Sequence, residues 1–157
     1  MKQIYRGILA LVLACGAAYA QDKQPLESTL EQHRVVKAGD GTEKLEPAAA
    51  VKPGDVIEYD AIYRNTGHAP LSGVTATLPI PSNTEFVAGS AKPSNAKASV
   101  DGRAFADMPL VRKVVRDGRS IEEQVPVREY RYLRWYPGEL GGDKSVKFSA
   151  RVRVLEK

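Results

Sequence analysis

The chain has 157 residues, with 23 Lys and Arg against 19 Asp and Glu, two His and one Cys. That length suits one domain with its own core. Two imidazoles and one thiol leave little material for a nucleophilic triad or a zinc cluster, and a net charge of +4 makes no polycationic nucleic-acid surface.

Residues 1–20 read MKQIYRGILALVLACGAAYA. Lys2 and Arg6 precede an apolar run over residues 8–14, and Ala18-Tyr19-Ala20 follows. Basic start, short apolar core and small-x-small end form a secretory signal peptide, so cleavage is expected after Ala20 and the protein is expected in the periplasm or beyond. Cys15, in Val12-Leu13-Ala14-Cys15-Gly16, gives the alternative of a lipid anchor, although Leu13 stands where a small residue is usual. Loss of the signal removes Cys15, and with it any disulfide, and leaves 21 basic against 19 acidic residues. No other apolar run reaches membrane length. Export and near-balanced charge together argue against a nucleic-acid partner.

Residues 21–28 (QDKQPLES) form a polar lead-in, and residues 29–157 the domain. Residues 29–37 (TLEQHRVVK) make a first strand, and Asp40-Gly41 a turn. Residues 45–51 alternate between readings: alanines suit a helix, but Pro47 and Pro53 bracket the run too closely, so it reads as an edge segment crossing between sheets. Lys52-Pro53-Gly54-Asp55 turns into the clearest strand, with Ile57, Tyr59, Ala61 and Tyr63 on one face and Glu58, Asp60 and Arg64 on the other. Asn65-Thr66-Gly67 ends it. Asn65 can hydrogen-bond to the turn backbone, and Gly67 can take a positive φ. The triplet is no N-glycosylation acceptor, because Gly67 replaces the required Ser or Thr.

Val74, Ala76 and Leu78 alternate with Thr75 and Thr77 in a second strand that Pro79 and Pro81 stop. Residues 84–87 form a short strand. Residues 96–100 and 103–106 flank Asp101-Gly102, a two-residue hairpin signal. Residues 110–115 are extended, residues 116–120 turn, and residues 124–127 have weak signals. Residues 130–136 (YRYLRWY) form a strand, residues 137–143 a glycine-rich turn, and residues 146–154 a last alternating strand. With no helical periodicity, the chain is all-β: an immunoglobulin-like antiparallel β-sandwich of about seven to nine strands.

The motifs Val51-Lys-Pro-Gly-Asp55, Ile57-Glu-Tyr59, Arg64-Asn-Thr-Gly67 and Val74-Thr-Ala-Thr-Leu-Pro79 resemble the bacterial family called domain of unknown function 11. Leu133-Arg-Trp135, the glycine-rich turn and Val146-Lys-Phe148 with Val152-Arg-Val154 resemble its closing strands. Ala98-Ser-Val-Asp-Gly102 with Phe105 is similar to a small exported variant. The resemblance spans residues 45–156. It departs at Leu140-Gly-Gly-Asp143, where the family usually has Ala-Pro-Gly-Glu or similar. It implies an immunoglobulin-like sandwich of the kind used as spacers or adhesive modules in cell envelopes, and it implies no activity.

Candidate chemistry is sparse. His33 and His68 are far apart in sequence, with no thiol and no nucleophile elbow, so no catalytic residue and no zinc ligand set is assigned. Asp40, Asp55, Asp60, Asp101 and Asp117 lack the regular spacing of a calcium loop. Glu122 and Glu123 are neighbours, so a strand points them to opposite faces and they make no glycosidase pair. No cofactor is expected. If Leu133 and Trp135 face the core, Tyr130, Tyr132, Arg134 and Tyr136 share the opposite face, a patch able to stack on a glycan or hold a peptide. Such residues equally stabilise neighbouring strands. The expected function is therefore a non-catalytic, exported cell-envelope module with a structural or protein-interaction role. The alternative is glycan or peptide binding by the Tyr/Arg patch; an enzyme of unrecognised type would require a pocket with convergent titratable groups.

Overall fold

The computed structural model describes residues 25–156. The expected signal peptide and Cys15 lie outside the described residues. Eleven strands form, in chain order β1 (Leu26–Lys37), β2 (Glu43–Pro47), β3 (Val56–Asn65), β4 (Leu71–Pro79), β5 (Thr84–Phe86), β6 (Lys97–Ser99), β7 (Ala106–Asp107), β8 (Val111–Arg116), β9 (Arg119–Gln124), β10 (Tyr132–Leu140) and β11 (Ser145–Val154). One 3-10 turn, Val127–Glu129, precedes β10. Sheet A has the order β2-β1-β3-β11-β5 and sheet B the order β4-β10-β6-β7. These nine strands make an antiparallel β-sandwich, with which an immunoglobulin-like arrangement is compatible. The remaining two, β8 and β9, pair only with each other.

Alternation fixes what lies between the sheets. Ile57 and Ala61 of β3 sit beside Val152 and Phe148 of β11 in the ladder, and all four are buried. From sheet B come Ala76, Leu78, Leu133 and Trp135, also buried. The Trp135 and Phe148 rings meet across the layers at 5.2 Å, and Tyr63 meets Phe148 edge-on at 6.1 Å. Trp135 is a workable core residue because its Nε1–H donates to the Pro93 carbonyl at 2.8 Å.

Several sequence expectations change. The lead-in is shorter than residues 21–28, since Leu26, Glu27 and Ser28 already pair with Asn65, Arg64 and Tyr63 of β3. Residues 45–51 lie at an edge as expected but do not cross between sheets: residues 43–47 pair with β1 as the edge strand β2, where a proline needs no ladder donor, and the chain returns to β3 of the same sheet. Asp101-Gly102 is not a two-residue hairpin turn. The Asp101 carboxylate accepts the Arg103 and Ala104 N–H groups at 2.8 and 3.1 Å, which opens a longer loop over residues 100–105. The two-residue turn is at Asp117-Gly118, both with positive φ (51° and 72°), joining β8 to β9. β10 runs through Pro137 to Leu140, because a register shift between Trp135 and Gly138 takes the proline out of the ladder.

At the end of β3, Asn65 is fully buried. Its Oδ1 accepts the Gly67 N–H, as the sequence predicts, and its Nδ2 donates to the carbonyls of Ala69, Leu140 and Gly141. Gly67 is not needed for a positive φ. A Cβ there would stand 3.0 Å from Pro25 Cβ and 3.4 Å from Asn65 Oδ1, so glycine serves close approach.

The outer face of sheet A is polar but not simply solvated. Glu58, Asp60 and Ser149 are buried there, under longer neighbours on β1 and β11. Arg151 Nε donates to Glu58 at 2.7 Å, its Nη1 to Glu43 at 2.7 Å, and Lys147 Nζ to Asp60 at 3.1 Å. Buried carboxylates require such partners.

Candidate functional site

The Tyr/Arg patch does not assemble as one surface. Tyr130 is a correction: it precedes β10, so strand alternation does not reach it, and its ring is buried against Phe86 at 6.2 Å. Its hydroxyl accepts the Leu110 N–H at 2.8 Å. Leu133 and Trp135 are buried as expected, which places Tyr132, Arg134 and Tyr136 on the outer face of sheet B. That face is partly covered by the chain itself. Tyr132 lies against Gly102, where a Cβ would come within 2.9 Å of the ring. The Arg134 guanidinium sits 3.6 Å from the Phe105 ring centroid, and its Nε donates to Thr77 Oγ1 at 3.0 Å. Both residues thus hold the 100–105 loop onto the sheet. Tyr136 keeps an open ring, 51% exposed.

The two histidines stay apart. His33 lies on β1, directly across from Glu58 of β3. His68 is in the exposed β3–β4 turn, its Nδ1 2.8 Å from Asp143 Oδ2. That hydrogen bond, helped by the carboxylate charge, raises the His68 pKa above its usual value. Among the described residues neither imidazole is hydrogen-bonded to a Ser or Thr hydroxyl. Glu122 and Glu123 alternate faces as expected, and Glu123 is held by Arg112 and Arg116 at 3.3 and 2.7 Å.

The surface that the sequence left unassigned is the β8–β9 hairpin. Its strands pair from Val111–Gln124 to Arg116–Arg119 and join neither sheet of the sandwich. One face presents Arg112, Val114 and Arg116, opposite Glu123, Ile121 and Arg119. Arg112 ties this face to the domain through Glu129 at 2.6 Å. The other face presents Val111 and Val115, 58% and 74% exposed, either side of Lys113. At the hairpin base a cleft of about 240 Å³ is lined mainly by Val100, Phe105, Leu110, Val111 and Val125, with Arg112 at its rim. The signal for this arm was in the sequence: Asp117-Gly118 between two six-residue runs is a hairpin mark.

An isolated two-stranded hairpin is marginal in water, and both of its outer edges carry unpaired backbone groups. Such an arm, with open apolar side chains and a cleft at its base, has the chemistry to receive a protein surface. Among the described residues no helix is long and apolar enough to cross a membrane. No family model, no curated protein and no solved structure matches this chain.

Proposed function

We propose that this is a non-catalytic, exported cell-envelope module of the domain-of-unknown-function-11 kind, which binds a protein partner through the β8–β9 hairpin. The observation that carries the reading is the exposure of Val111 and Val115 on an arm outside both sheets. A free hairpin with unpaired edges and open apolar side chains is a ready template for another chain. The partner would offer an apolar strip for the two valines, with charge to meet Lys113 and Glu122. The signal-peptide pattern of residues 1–20 supports an envelope location.

The alternative of a glycan-binding patch rests on Tyr136, because Tyr132 and Arg134 are engaged with Gly102, Phe105 and Thr77. A photo-crosslinking residue at position 115, and another at position 37 on β1, would be compared in intact cells. The expected result is a discrete adduct from position 115 that disappears with Val111→Ser and persists with Tyr132→Ala/Tyr136→Ala. Equal labelling from both positions, or loss only in the tyrosine double variant, would reject the hairpin as the contact.

A further inference from the structure

Strand register assembles a group of side chains that sequence spacing hides. Glu31 of β1 lies directly opposite Asp60 of β3, and His33, two residues on, shares their face. One ligand atom from each of Glu31, His33 and Asp60 lies within 4.8 Å of the other two. Two further facts point to something held between them. Asp60 is 3% exposed, and its Oδ1 has no hydrogen-bond partner although its Oδ2 accepts from Lys147 at 3.1 Å. His33 Nδ1 is likewise buried and without a partner. Orphaned buried polar atoms are rare in folded proteins, and two in one cluster call for a common cause.

We propose that Glu31, His33 and Asp60 bind a divalent transition-metal ion of the zinc type. One imidazole and two carboxylates form a mixed N/O donor set that suits zinc, whereas calcium and magnesium favour sites of oxygen alone. Zinc bonds to such ligands are about 2.0–2.2 Å long, so a tetrahedral site has edges near ~3.4 Å. Glu31 is exposed, so its carboxylate is free to rotate toward His33 and Asp60, and closing on an ion also draws those two together. Glu58, the next carboxylate on this face, is engaged by Arg151 and does not compete. Lys147 does compete. Its ammonium sits on the second oxygen of Asp60, but the side chain is 57% exposed and free to swing away. Two carboxylates and one lysine leave a net single negative charge to receive the ion. Three protein ligands leave a fourth position for water or a partner's side chain.

The test is calorimetric titration of the full chain with zinc chloride, with magnesium chloride as control. Wild type should bind zinc, and saturation should raise Tm by about 5–10 °C. His33→Ala and Asp60→Asn should weaken that binding by at least about 10-fold, as even the loss of supporting groups does at metal sites. Lys147→Met should tighten it, and His68→Ala should leave it unchanged. Should either ligand variant fail to fold, NMR of the wild type decides, because zinc must shift the His33 ring resonances and spare those of His68. The proposal is overturned by equal zinc affinity in wild type and both ligand variants, by shifts confined to His68, or by a His33 ring that millimolar zinc leaves unmoved. The last result would assign the orphaned atoms of His33 and Asp60 to a bridging water.

Discussion

Replacing Asn65 tests the link between a short sequence motif and the closure of the sandwich. Its amide has two hydrogens shared among three carbonyls, at 2.8 Å to Ala69, 3.0 Å to Leu140 and 3.1 Å to Gly141. Its own carbonyl receives the Gly67 N–H at 3.0 Å. The side chain thereby joins the β3–β4 turn to the β10–β11 turn. Asn65→Ala orphans the Leu140 carbonyl in a buried site, at a cost of about 1–3 kcal/mol. The remaining partners are part-buried and regain water, so each adds about 0.5–1 kcal/mol. A total of about 2.5–6 kcal/mol is a large share of the 5–15 kcal/mol typical of a domain, and it should lower Tm by about 8–18 °C. Asn65→Asp should be worse at neutral pH, because it turns a carboxylate oxygen toward carbonyl dipoles. Burial and those dipoles raise the new carboxyl's folded pKa above the unfolded value of about 3.9. The folded state then binds the extra proton, so the penalty is complete above the folded pKa and fades as pH falls toward about 3.9. Scanning calorimetry of the three proteins between neutral and acid pH measures both effects. A Tm for Asn65→Ala within about 3 °C of wild type, or equal losses for Ala and Asp at neutral pH, would refute the reasoning.

Tyr130→Phe removes the hydroxyl that accepts the buried Leu110 N–H, so it should cost about 1–3 kcal/mol, read as a Tm loss of about 3–9 °C, with crosslinking from position 115 unchanged. Gly142→Ala should be more damaging than Gly118→Ala, since a Cβ on Gly142 would overlap the His68 backbone carbonyl while one on Gly118 meets open space, leaving only the strain of its positive φ; comparing their urea midpoints checks this. His68 should titrate above its ordinary 6.5 by NMR, and Asp143→Asn should return it there. Because the folded pKa is the raised one, the pair's contribution to stability is complete below the unfolded pKa and is lost as pH rises through the folded value.

How legible each part was depends on the range of the interactions that fix it. The two central strands, β3 and β11, were readable because alternation over ten residues is a local property and both faces obey it. Asn65 was readable for its bond to Gly67, two residues away, but not for its bonds to Leu140 and Gly141, which depend on which strands become neighbours. Local turn chemistry also misled. Asp101-Gly102 and Asp117-Gly118 carry the same two-residue signal, yet only the second has paired runs of equal length on both sides. Near the first, Tyr132 and Ser99 recruit the loop to sheet B, and the Ser99 hydroxyl accepts the Gly102 N–H at 2.9 Å. The Tyr/Arg patch failed for a related reason. Parity placed Tyr132, Arg134 and Tyr136 correctly, but nothing in parity announces that a distant loop folds over two of them, or that the strand begins only after Tyr130.

The same limit applies to the group formed by Glu31, His33 and Asp60. A ligand set written along one strand shows itself by spacing, as in a helix-borne or loop-borne metal motif. A set split across two antiparallel strands shows itself only through register, and register is decided by burial of the opposite face. Here Leu26 to Val35 pair with Asn65 to Val56 in a single register. A one-residue slip of β3 against β11 would carry Ile57 and Ala61 out of the core and would turn Asp60 away from Glu31 and His33. The apolar contacts of β3 therefore also hold Asp60 on the outer face, and the β1–β3 ladder sets Glu31 and His33 beside it. Stability and any chemistry of that face are coupled through β3, the one strand that supplies Ile57 to one side and Asp60 to the other.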